Sequence, residues 1–142
     1  MQSSTTLSPE LISAYEATNF HVMTDPAFIL KIGINSNELE MLFNKSGHKT
    51  ATFITACNPF SNTLSDEDNQ LRNIQLEVDL GDLNVEIIDG FGQDLFGEWA
   101  GEASFLALGI DYDLASKLGI KYEQNAIVWC NADAVPQLIL LR

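Results

Sequence analysis

Apolar positions follow two periods along this chain. Ser8-Pro9-Glu10 has the form of a helix start: a capping hydroxyl, a proline at the first helical position and an early acid. Leu11, Ile12 and Tyr15 recur at helical spacing, so a short helix is expected to about residue 18. Residues 19–23 and 28–33 read as two strands around Thr24-Asp25-Pro26. In the second, Phe28, Leu30 and Ile32 alternate with Ile29 and Lys31, which puts one face in the core. Ser36 begins a helix with Leu39, Leu42 and Phe43 on one side, and Gly47 ends it. Residues 50–57 are β-branched and aromatic without charge, as in a central strand. The turn-forming Asn58-Pro59-Phe60-Ser61-Asn62 follows. Ser65 and Asp68 then resemble a capping box, and Leu71, Ile74 and Val78 are expected to form the buried stripe of a helix ending near Gly81.

The second half continues the alternation. Residues 85–91 and 104–110 read as strands, with Gly90, Gly92 and Gly97 making the stretch between them rich in turns. Residues 111–119 read as a helix with Leu114 and Leu118 inward. Residues 126–130 and 137–141 close the chain as a hairpin through the turn at 133–136. Helices and strands in this order predict an α+β (or α/β) fold: a mixed sheet of about six to seven strands with about four packed helices. A length of 142 residues suits one domain, 1–142, with residues 1–7 as a disordered or loosely held tail. No apolar run reaches the roughly 18 residues of a membrane span. The first six residues lack a basic start and an apolar core, so no secretory signal and a cytoplasmic location are expected.

Charge narrows the partners. Twenty acids and seven bases leave a net charge of −13. Thirteen of those acids fall within residues 66–113, against one base, Arg72. Phosphate recognition needs a basic face, so direct nucleic-acid binding is excluded, as is an anionic membrane surface. The plain reading of the acidic segment is a solvated face that keeps the protein soluble. The sharper one is a surface that binds a basic partner, or that imitates nucleic acid to block a nucleic-acid enzyme. Cys57 and Cys130, the only cysteines, form no C-x-x-C pair and read as reduced core thiols. No cluster has the spacing of metal ligands, so no metal is expected, and no motif names a cofactor.

Three motifs converge on one family. They are Thr55-Ala56-Cys57-Asn58-Pro59-Phe60-Ser61, followed by Leu64-Ser65 and Asn69; Gly97-Glu98-Trp99-Ala100-Gly101-Glu102-Ala103-Ser104-Phe105-Leu106; and Gln124-Asn125-Ala126-Ile127. Together, over about residues 11–140, the chain resembles the bacterial family catalogued as domain of unknown function 3293. The resemblance implies a short, single-domain bacterial protein and carries no activity with it. It marks Asn58, Pro59, Ser61, Ser65, Asn69, Trp99, Glu102, Ser104, Gln124 and Asn125 as family positions, and it does not call for cysteine at position 57.

The residues themselves offer three places for chemistry. A capped helix start after a polar loop can hold an anion, and Arg72, three residues beyond Asn69, can point to the same ligand. Against this, Asp66, Glu67 and Asp68 already occupy that helix end, and a turn plus a cap explains the stretch equally. Trp99, Glu102 and Ser104 offer a flat wall, a carboxylate and a hydroxyl; a dry site would raise the Glu102 pKa and suit it to acid–base work. Otherwise Trp99 covers the core edge and Glu102 caps a turn or pairs with Arg72. Gln124 and Asn125 either pin a loop or read a polar ligand. A His48–Cys57 pair is a remote fourth option. The leading expectation is a site for a small polar or nucleotide-like ligand. It would be built from Asn58, Ser61, Asn69, Arg72, Trp99, Ser104, Gln124 and Asn125, with Glu102 as acid or base. The alternative is an acidic interaction or regulatory module for a basic partner.

Overall fold

Ser8, Ser36 and Ser65 each start a helix in the computed structural model, which describes residues 5–94 and 101–142. Each hydroxyl accepts from the backbone N–H three residues on, at 3.1 Å, and so satisfies a donor that the first helical turn leaves open. The helices are α1 (Pro9–Glu16), α2 (Asn37–Ser46) and α3 (Asp66–Gly81); α4 (Tyr112–Lys121) is capped by Asp111. Gly47 closes α2 in the left-handed conformation at φ 80°, where a side chain would be strained. The strands are β1 (Asn19–Val22), β2 (Phe28–Leu30), β3 (Ala51–Ile54), β4 (Glu86–Gln93), β5 (Glu102–Leu108), β6 (Ala126–Cys130) and β7 (Pro136–Leu140). Among the described residues no helix is long and apolar enough to cross a membrane.

The seven strands form one sheet in the order β2-β1-β4-β5-β3-β6-β7. This is the expected α+β class with four helices. Every pairing is antiparallel, however, where a mixed sheet was expected. The reason lies in the connections: β1–β2, β4–β5 and β6–β7 are hairpins, and the three helical connections, through α2, α3 and α4, bring strands back beside neighbours of opposite direction. Alternation along the strands splits the core. Phe20, Phe53, Leu106 and Val128 face one side with Leu39 and Phe43 of α2. Ile54, Phe105, Ala107 and Ile127 face the other with α3 and α4. Gly90 of β4 is required where the His21 carbonyl of β1 comes too close for a side chain.

Two helices turn differently from the expected stripes. On α3, Leu71, Ile74 and Val78 are 65%, 51% and 54% exposed, while Leu76, Leu80 and Asn73 are buried. The buried face of α3 begins with polar amides, so a count of apolar residues favoured the wrong side. On α4, Leu114 is exposed, and Ala115, Leu118 and Gly119 are buried. A side chain at Gly119 would strike Ile127 and Leu141, so small residues set that helix close to the sheet. Thr5 donates to the Arg142 carbonyl, and Leu7 is buried.

Candidate functional site

β3 leaves the sheet after Ile54, and its continuation to Cys57, expected as strand, is held by side chains instead. Backbone groups without strand partners must find others. The Ala56 N–H donates to Asn73 Oδ1 (2.8 Å), and the Ala56 carbonyl accepts from Arg72 Nε (2.6 Å). The Cys57 N–H donates to Thr55 Oγ1 (3.1 Å), and its carbonyl accepts from Gln124 Nε2 (3.0 Å). The Asn58 N–H donates to Asn69 Oδ1 (2.8 Å). The Phe60 N–H donates to the Glu123 carbonyl (2.6 Å). These bonds hold three residues with side chains in left-handed backbone: Asn58 at φ 49°, Phe60 at 53° and Ser61 at 63°. Such a conformation costs roughly 1–2 kcal/mol per residue, and it persists where surrounding bonds over-determine it.

The outcome of that strain is the placement of one amide. Asn58 Oδ1 accepts from the Leu64 N–H (3.0 Å) and from Asn69 Nδ2 (2.8 Å). Asn58 Nδ2 is thereby turned onto Glu102 Oε2, to which it donates at 2.9 Å. Glu102 is the first residue of β5, and its neighbour Ser104 is buried and donates to the Glu102 carbonyl (2.9 Å). Burial pushes the Glu102 carboxyl above its ordinary pKa, and the Asn58 bond pulls it part of the way back. A carboxyl displaced upward in this way is suited to give and take a proton.

A groove of about 1110 Å³ runs beside the Asn58–Glu102 pair, lined by α1, by α3 and by residues from both faces of the sheet. Asn58, Ser61, Asn69, Glu102, Ser104, Gln124 and Asn125 all line it. Asn125 Nδ2 donates to Ser61 Oγ (2.9 Å), and Tyr15 of α1 shares a hydrogen bond with the same hydroxyl (3.1 Å). Arg72 is not among the lining residues. Its Nη2 donates to the Tyr122 carbonyl (2.5 Å) and its Nη1 reaches Glu123 (3.5 Å), so three of its donors are held by the loop and by the end of α4. Arg72 thus clamps the loop to α3 and to the end of α4, and its bonded partners do not include Glu102. Trp99 lies outside the described residues.

The cysteines are unpaired and buried. Burial pushes the Cys57 thiol up and so keeps it protonated, even though Thr55 and Asn73 bond to it. His48 packs on Gly109 at the opposite end of β3, which ends the His48–Cys57 option. Three residues that the sequence reading passed over belong to the site. Asn73 follows Asn69 by one helical turn on the same face, a spacing that was open to view. Thr55 opens the first motif without being singled out there, and Tyr15 carried no such signal.

The comparison with curated proteins found no significant match, and neither did the comparison with solved structures. A family model described as "Protein of unknown function" matches residues 54–127, from the last residue of β3 into β6. That span contains the strained loop, its clamps on α3, the Glu102 strand and Gln124-Asn125, and on that match the chain belongs to the DUF3293 family.

Proposed function

We propose that the groove binds a small polar ligand and that Glu102 acts there as a general acid or base. One observation carries this reading. Six hydrogen bonds to the backbone of residues 56–60 maintain a strained turn whose product is an Asn58 amide aimed at a shifted carboxyl in a groove. A turn needed only to connect β3 to α3 has no call for such strain. The nucleotide-like version has weaker support, because Arg72 is committed to backbone carbonyls. A thermal-shift screen of amines, amino acids, sugars and nucleosides tests the reading. A ligand at about 100 times its dissociation constant adds about 2.7 kcal/mol, a rise of several degrees. The rise should occur in the wild type and be lost in Glu102→Gln. If no class of compound raises the melting temperature, the reading fails.

A second reading has its own observation. The exposed Leu71, Ile74 and Val78 form one stripe on α3, a helix that begins with three acids. Such a face suits a basic, amphipathic protein partner. Leu71→Gln/Val78→Gln would abolish capture of that partner and leave ligand shifts intact.

A further inference from the structure

The charge lining the groove has a single sign. Asp66, Glu77, Asp94 and Glu102 line it, and among the described lining residues there is no Lys, Arg or His. The seven Lys and Arg of the chain lie elsewhere: Arg72 on the loop, Lys121 on Asp79, Lys31 on Asn19, Arg142 on Asn125, with Lys45 and Lys49 about the end of α2 and Lys117 on α4. The six residues between Asp94 and Gly101 add no basic side chain to the sequence. An anionic ligand would meet the half-buried Glu102 carboxyl with no basic side chain among the described lining residues, which is costly away from water. A cationic group gains from the same walls. On the sheet face that carries Phe53 and Leu106, opposite α3, the groove has a matching shape. Phe20, Gly92 and Glu102 stand in one row across β1, β4 and β5, on the same face. Gly92 carries no side chain, so the row is an apolar ring and a carboxylate about 10 Å apart, two strand spacings, with only the Thr18 methyl and the edge of the Phe20 ring bordering the gap over Gly92.

We infer that the groove takes an organic cation, a primary ammonium on an apolar stem. The charge sits on Glu102, and the stem lies over Gly92 toward Phe20. This rests on the ligand-binding reading and narrows it to one chemical class. Three probes with a common stem test it: phenethylamine, phenethyl alcohol and hydrocinnamate, titrated into the full chain at low salt and followed by calorimetry and by the Asn58 and Gly92 amide resonances. Phenethylamine should bind about tenfold or more tighter than the alcohol, and hydrocinnamate weakest of all. Glu102→Gln should bring the amine down to the level of the alcohol. Gly92→Val, at a site where a Cβ meets only ordinary contacts near 3.7 Å, should weaken amine and alcohol alike in a protein that stays folded. Equal or tighter binding of the alcohol or the acid overturns the charge assignment alone. Amine binding that survives Gly92→Val overturns the placement of the stem. If none of the probes moves either resonance and the broader screen also fails, the ligand-binding reading falls with the inference.

Discussion

Asn58 carries two opposing contributions that substitution can separate. Its left-handed backbone is costly for any residue with a Cβ, and its side chain makes three hydrogen bonds to Leu64, Asn69 and Glu102. Asn58→Ala keeps the strain and loses the bonds, so it should lower the unfolding free energy by about 2–3 kcal/mol. Asn58→Gly loses the bonds and relieves the strain, so urea denaturation should find it about 1 kcal/mol more stable than the alanine variant. Glu102 gives a pH signature. Its carboxyl is raised in the folded protein, so the folded state holds the proton longer than the unfolded one. Stability from this group is fully present below its ordinary value of 4.5 and is lost as pH rises through the raised value. Urea denaturation across that window should show the wild type losing stability with rising pH, and Glu102→Gln should remove that decline.

α3 does two jobs with two faces. Its inward face starts as Asn69 and Asn73, which bind the loop, and ends as Leu76 and Leu80, which fill the core. The exposed leucine and valine therefore contribute little to folding. Leu71→Gln and Val78→Gln should each change stability by no more than about 0.5 kcal/mol. Leu76→Ala, by contrast, should cost about 2–5 kcal/mol through the cavity it leaves. Arg72 joins α3 to the loop and to the end of α4. Arg72→Lys keeps the charge but cannot reproduce two directed bonds to different carbonyls, so chemical denaturation should show a loss of about 1.5–3 kcal/mol. Once the variant is folded, its affinity for phenethylamine should change little, because the guanidinium does not line the groove.

The charge of the protein acts at longer range. A net charge of −13 opposes compaction through self-repulsion, and salt weakens that repulsion. The melting temperature should rise as sodium chloride goes from about 0.01 M to about 0.5 M, as the Debye length falls from about 30 Å to a few ångströms. Amine binding should weaken over the same range. A protein whose acids were paired in ion bridges would show the opposite trend in stability.

How much of this was legible in the chain depends on the range of the interaction that set it. Helix starts at Ser8, Ser36 and Ser65, the stop at Gly47 and the order of elements are local, and each follows from capping and periodicity within a few residues. The polar positions Asn58, Asn69, Glu102 and Gln124 were legible as well, as members of the three motifs read from the sequence. Their roles were not legible. Whether Arg72 meets a ligand or a carbonyl depends on the end of α4, 50 residues away. Which face of α3 is inward depends on a loop whose unpaired backbone calls polar residues into the interior. Strand direction depends on how the crossovers return. The sequence by itself determined the elements, the acidic balance and the set of polar candidates, since these need only neighbours along the chain. The tertiary arrangement separated clamps from groove-lining groups, because a side chain's chemistry is set by what stands across from it.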